Sequence, residues 1–505
     1  MPDRELLDAA ALCGHLLAPD SVHALLAEHR RVLFPDEMFE DLFPSGKGRP
    51  SVPADVIATV MVLQALEGFS DRQAVRRLET DISWKAAAGL SLSDEAFHPT
   101  VLVLWRNKLR VSARPQRIFD AVRAVVRSSG AVRGKTRRVL DSTVLDDAVA
   151  RQDTIGMLAS AIRKVRRLMP ELGSVPVRAD NLEAGRPSCD WDDPADIDRV
   201  VSELVDDANE LVWAGEDLTD AGVLLDSEQT DALALLALVA GQDVEPGDRP
   251  GTWRIAERTA RERVVSVVDP EARHVHKTAH SYRDGYKAHV AVEPETGLIT
   301  DCDLTSGTTP DAAAGEDLLR GDRGARVILG DSAYGTGEFR EHLAGRNKAA
   351  VIKPPPLRPP VEGGYSLDDF DIDTTKRTVT CPAGVTVALT RRKANFGRNC
   401  KTCPLRDRCT TNSKGRMITL HPNHDLLAAA RTQARTDTFD QEYRRWRPMV
   451  ERSIAWLTRG TNRRLRYRGV ERNRLWWAHR VAAINLQRLL KLGLTPNPTG
   501  GWAIA

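Results

Sequence analysis

The chain has 505 residues, 42% hydrophobic and 28% charged, with a formal charge of +2; this calls for more than one core and excludes wholesale disorder. The near-neutral total hides a segregation, because Cys189 to Asp220 is acidic whereas Tyr443 to Arg480 is dense in arginine with interleaved Trp and Tyr, a composition that suits a phosphate backbone and also a plain solvated helix face. The N-terminus lacks the basic-then-apolar order of a signal peptide and the most apolar run, Ala232 to Gly241, is too short to cross a bilayer, so a reducing cytoplasm is expected, with the seven cysteines as thiols or metal ligands.

Residues 1 to about 125 read as helical. "PADVIATVMVLQALEG" puts Val56, Val60, Leu63 and Leu66 at helical spacing before a break at Gly68, and "PTVLVLWRNKLR" predicts a helix opened by Pro99, whose ring suits a first turn. Helix, turn and basic helix is compatible with a helix-turn-helix DNA reader, with Arg106 and Lys108 as its DNA contacts, and as compatible with a small helical bundle. "KTRRVLDSTVLDD" predicts a strand ending at Asp141. The "GAVRGKT" before it is no phosphate loop, since its glycines are too close and it leads into a strand. Residues 155–258 read as a helical insertion. Strand character returns in "RERVVSVVD", in "GYKAHVAVEPETGLITDCDLT" with a hairpin about its Pro-Glu-Thr-Gly turn, and in "ARVILGD", which stops on Asp331. "KAAVIK" predicts a further strand before a proline-rich breaker, residues 362–425 form a separate cysteine-bearing region, and a last long helix spans about 436–459. A mixed sheet interrupted by a helical insertion, α/β in class, is the economical reading.

Three carboxylates stand out: Asp141 and Asp331 at strand ends and Glu451 on the last helix. Hard divalent cations take oxygen ligands, which such residues supply if the fold gathers them. Tyr443, Arg447 and Glu451 recur at four-residue steps and share a helix face, unless Pro448 starts the helix there and divides them. In "RHVHKTAHSYRDGYKAH", His274, His276, His280 and His289 lack a convincing ligand partner set, so Lys277 and Lys287 as phosphate contacts, or surface histidines, are the better readings. Cys381, Cys400, Cys403 and Cys409 contain one Cys-x-x-Cys and fit either a structural zinc knuckle, with His421 or His424 as a substitute ligand, or free thiols. Trp446 and Trp456 flank the glutamate and are read as core.

"LDST", "DPEARHVHKTAHSYRDGYKAHVAVEPETGLI", "ILGDSAYGTGEF", "VIKPPPLRP", "CPAGVTV", "CKTCPLRDRC" and "RPMVERSIAWL", in this order, resemble the DDE transposases of bacterial insertion sequences. The group with a helical N-terminal domain and a cysteine-bearing insertion is the most similar, and the likeness runs from Gly48 to Leu490. It implies a ribonuclease-H-like mixed sheet with flanking helices at 135–490, interrupted by the insertions at 155–258 and 362–425, and an all-α DNA-binding domain at 1–125. It implies that Asp141, Asp331 and Glu451 hold two magnesium or manganese ions, and that the small residues after Asp331 leave room for backbone and DNA. Arg447 falls on the family's arginine position; Tyr443 lies one residue further from Glu451 than that pattern expects, and Thr458 takes the lysine position with Arg459 beside it. The implied function is metal-dependent cleavage and strand transfer at the ends of an insertion sequence. It would need no nucleotide cofactor and no membrane, and a homodimer or larger assembly would act on element ends and target DNA. The alternatives are a recruited DNA-binding protein that no longer transposes and an endonuclease that cuts without joining.

Overall fold

The computed structural model describes residues 7–44, 52–178, 185–260, 262–278, 281–497 and 501–504. Its N-terminal helices start where the sequence supplies caps. Ser21 caps α1 (Val22–Leu33), α2 is Ala54–Glu67, and a reciprocal Ser70/Gln73 capping box opens α3 (Asp71–Thr80). They are followed by α4 (Ile82–Ala88), α5 (Thr100–Val111) and α6 (Arg117–Ser128). The spacing in α2 predicts one apolar face, yet every residue from Asp55 to Ala65 is buried, because α1, α4 and the long C-terminal helix surround it. Gly68 ends it at φ +74°, and a Cβ there would meet the Asn462 side chain at 2.7 Å, so both the turn and the packing require glycine.

The main sheet is mixed. Its strands are β1 (Arg137–Asp146), β2 (Arg273–Thr278), β3 (Ser281–Glu293), β4 (Leu298–Ser306), β5 (Val327–Gly330) and β6 (Ala349–Ile352). Its order is β2-β3-β1-β5-β6, with β4 also paired to β3. β3 runs antiparallel to β1, β2 and β4, whereas β5 runs parallel to both β1 and β6. β1 does not end at Asp141, as the pattern suggests, but continues to Asp146, since β3 pairs with it along its whole second half. Only Arg137 to Val139 pair with β5, so one edge of β1 is unpaired by β5 at Asp141.

Between β1 and β2, the helices α7 (Thr154–Leu168), α8 (Pro194–Asp220) and α9 (Ser227–Gln242) close around their own core of residues such as Ile162, Leu204 and Leu236. Among its described residues, "RERVVSVVD" forms no strand beyond an isolated bridge from Val264 to Arg273. Its valines are apolar because Val264 and Val267 seal the core of this insertion while Val265 enters the main one. After β4 come α10 (Asp311–Leu318) and, beyond β5, α11 (Gly337–Gly345). The cysteine-bearing region folds as small antiparallel ladders on a core of its own, and α12 (His424–Gln433), α13 (Asp437–Leu457) and α14 (Val470–Lys491) follow, with a short antiparallel pair, Leu494–Pro496 and Trp502–Ile504, after them.

α14 joins the parts. Its apolar face shares one continuous core with the N-terminal helices and the main sheet. Buried Asn485 accepts from the Ile299 amide at 2.9 Å and donates to the Ile299 carbonyl at 2.8 Å, tying the helix to β4. Buried Arg480 donates to the carbonyls of Ala65 (2.7 Å) and Leu66 at the end of α2, and of Trp456 (2.7 Å) and Leu457 (2.9 Å) at the end of α13. Carbonyls at a helix C-terminus lack intrahelical donors and carry the negative end of the dipole, so this cation compensates two termini at once. Burial pulls its pKa down to about 10, which leaves it charged at neutral pH.

Just past β1, buried Asp147 has its carboxyl pushed up to about 6, first by burial and then by the nearby Asp284 and Asp269. A folded pKa above the unfolded one means that stability is greatest below about 4 and is lost as pH rises through about 6. Asp147→Asn, which keeps an oxygen for the Val149 amide, is expected to raise the thermal midpoint at pH 7.5 and to flatten its rise between about pH 7 and pH 4.5. Thermal unfolding across that range checks this.

Candidate functional site

The parallel register of β1 and β5 sets Val139 opposite Leu329, so Asp141 and Asp331, each two residues further along, come level at the point where β5 stops. Asp331 then caps the 3-10 turn Ser332–Tyr334, its Oδ1 accepting from the Ala333 amide at 3.0 Å. Asp141 Oδ1 accepts from the Ser142 amide at 2.9 Å. α13 packs across β1, β3 and β5 and continues through Pro448 without a break, so Arg447 and Glu451 stay one turn apart on one face.

Arg447 lies at the centre. One guanidinium nitrogen donates to the Leu140 carbonyl at 2.6 Å. A second lies 2.8 Å from Asp141 Oδ1 and 4.0 Å from Asp331 Oδ2, and Nε is 4.0 Å from Glu451 Oε1. Asp141 is buried, Asp331 partly open and Glu451 exposed. Burial raises the Asp141 pKa against the pull of Arg447, and nearby Asp331 raises it further. Burial alone would lower the Arg447 pKa, but Asp141 outweighs it and holds the guanidinium above its ordinary value. Three carboxylates around one arginine leave the site short of positive charge. Among the described residues no group of three or more His, Cys, Asp or Glu is arranged to hold a metal ion. The oxygens therefore meet at an arginine, with a donor chemistry that suits a hard cation.

Of the small residues after Asp331, Ser332 and Ala333 are exposed and Gly335 is buried. A Cβ on Gly335 would collide with the Lys353 carbonyl at the end of β6. Lys353 escaped the sequence reading although "VIKPPPLRP" was among the motifs; its ammonium lies 4.6 Å from the Tyr443 ring centroid, on an exposed side chain beside the site. Tyr443 is half-buried, stacks on Phe439 at 5.8 Å, and has its hydroxyl pKa raised by burial. Arg459 is exposed. Arg463, which sequence reasoning passed over, reaches Thr143 at 3.5 Å, two residues beyond Asp141 on the same side of β1, and Thr458 at 3.3 Å. Only the fold brings the turn after α13 back to the strand.

Other candidates lie elsewhere. Arg106 is buried, paired with Asp71 and stacked 4.8 Å from the Tyr467 ring centroid, so it braces the helices and does not face solvent. Lys108 lies 5.1 Å from the Phe43 ring centroid. Lys287 donates to the Thr309 carbonyl at 3.0 Å and sits 3.6 Å from Asp311, turned inward. The side chains of His276 and Lys277, and all of His280, lie outside the described residues. His289 is fully buried, its pKa pulled down to about 3 by burial, and His274 meets Asp284 at 2.6 Å. Trp446 and Trp456 are partly buried against the main core. Cys381, Cys400, Cys403 and Cys409 line one cavity. Burial, and the other three sulfurs nearby, push the Cys409 thiol pKa up. His424 is largely buried and His421 pairs with Glu338.

A family model described as "Transposase DDE domain" matches residues 380–490, which include Glu451 and Arg447, and one described as "Transposase domain (DUF772)" matches residues 19–108. No curated protein and no solved structure matches the chain.

Removing the central cation leaves a buried carboxylate uncompensated. Arg447→Met is expected to lower the unfolding free energy at neutral pH by about 3 kcal/mol or more, as measured by urea denaturation.

Proposed function

We propose that this chain, which its two family matches mark as a DDE-type transposase of an insertion sequence, cuts a DNA strand at each end of its element and joins the freed 3′ end to target DNA. One observation carries this reading: carboxylates from β1, from the end of β5 and from α13 all lie within 4.0 Å of the Arg447 guanidinium. A ribonuclease-H-like fold for the catalytic part is supported by the run β4-β3-β1-β5-β6, antiparallel up to β1 and parallel after it, with α13 laid across β1 and β5. On this reading residues 135–490 form the catalytic domain, with the insertions at 155–258 and 362–425, and residues 1–125 bind DNA.

Asp141, Asp331 and Glu451 would hold magnesium or manganese, which DDE domains generally use. Bound there, the ions would activate water and neutralise the leaving oxygen. The protein's own part is positional. Backbone amides fix one oxygen each of Asp141 and Asp331 and leave the other for a ligand. Arg447 keeps the three acids together against their mutual repulsion. Arg463, Lys353 and Tyr443 border the site and would grip the phosphates on either side of the scissile bond, with Arg459 further out. No helix of the described residues is long and apolar enough to cross a membrane. The setting we assign is the cytoplasm, with paired ends calling for at least two copies of the chain. The four cysteines that line one cavity would hold a structural zinc stiffening the region before Glu451 only once their sulfurs draw together into a ligand set that they do not form here.

Incubating the purified chain with labelled element-end DNA and magnesium is expected to give nicked and then joined products. Asp331→Asn should lose at least about 100-fold of both, since even residues behind metal ligands are worth 10–100-fold. Undiminished activity in that variant would remove the assignment, and nicks without joined product would favour the endonuclease reading. Elemental analysis of the same preparation should find one zinc per chain and none in Cys403→Ser; equal zinc in both would remove the knuckle.

A further inference from the structure

Helix α8 carries a face that is left open to solvent among the described residues. Asp206, Glu210, Trp213, Asp217 and Asp220 follow one another at three- and four-residue steps and so form a single stripe, and all five are exposed. Trp213 in its middle is 56% exposed, and Leu224 beyond the helix end is 96% exposed. Arg199 is the only basic residue between 189 and 220. Among the described residues, Glu210, Asp217 and Asp220 make no ion pair, and Asp206 makes one, at 3.9 Å to Arg178. An acidic helix with a bare tryptophan at its centre is not an ordinary solvated face, for which charges alone suffice.

The complementary surface lies on the same chain. Arg464, Arg468 and Arg472 are exposed in the segment between α13 and the start of α14, and among the described residues none of them forms an ion pair. We propose that the acidic, tryptophan-centred face of α8 docks onto the arginine-rich segment 464–472 of a second copy of this chain. Guanidinium groups suit both parts of the stripe, pairing with its carboxylates and stacking on the indole. Every chain carries both surfaces, so a reciprocal exchange closes a two-fold dimer and leaves neither surface bare. This goes beyond the catalytic reading and does not depend on it, because association is read without DNA or metal.

The test is sedimentation velocity of the full chain, its Glu210→Lys/Asp217→Lys variant, its Arg468→Glu/Arg472→Glu variant and an equimolar mixture of the two variants. The wild type should dimerise at low salt and dissociate as screening shortens the Debye length to about 3 Å near 1 M. Each variant alone should have its dimer Kd raised about tenfold or more. The mixture should dimerise again, since in it the reversed face of each copy meets the reversed face of the other. All changes lie on exposed side chains, and circular dichroism should be unaltered; the milder Glu210→Gln/Asp217→Asn variant should fall between. A wild type that stays monomeric, an acid-reversed variant that associates as before, or a mixture that stays monomeric would each overturn the proposal. So would a cysteine pair placed at 210 and 468 that closes within a single chain.

Discussion

Arg480 is the constraint on which the arrangement of the molecule turns. A guanidinium buried in a helix interior is costly unless its donors are used, and here they go to carbonyls at the ends of two other helices, α2 and α13. Because the C-terminus of α13 is fixed in this way against the N-terminal helices, the face bearing Arg447 and Glu451 is aimed at β1. The long apolar surface of α14 packs into the main core around this buried charge, and Asn485 fixes its register against β4.

Arg447 then does on a small scale what Arg480 does on a large one. It gathers groups that would otherwise repel, and does so from a helix anchored elsewhere. The two arginines differ in what surrounds them. Arg480 meets neutral carbonyls at each of its three guanidinium nitrogens, whereas Arg447 meets more negative charge than it can balance. That deficit separates a cation whose surroundings are neutral from one held in a field of unbalanced acids.

The carboxylates were legible in the sequence because each is marked locally: Asp331 by the apolar run that stops on it, Glu451 by its spacing from Arg447, Asp141 by the β-type run around it. What the pattern could not show was how far β1 runs, because its second half is set by β3 from more than a hundred residues away. The valines near 265 misled for a related reason: two cores meeting at a turn make the same alternation as a strand. Arg106 looked like a surface cation because its partner Asp71 is distant in sequence, and Arg463 went unnoticed because only a tertiary turn carries it to Thr143. Motifs near a site are visible from one dimension, but the side chains that border it from other elements are not.

Pro448 has a mechanical side. Lacking an amide hydrogen, it leaves the Arg444 carbonyl without its partner one turn back, on an exposed stretch where water can take over. The missing bond joins residues 444 and 448 and so lies on the side of Arg447 away from Glu451. The turn from Arg447 to Glu451 keeps its own backbone bonds and carries the acid at a fixed distance from the arginine. The residue that would ordinarily spoil a helix thus leaves the arm that carries the acid stiff.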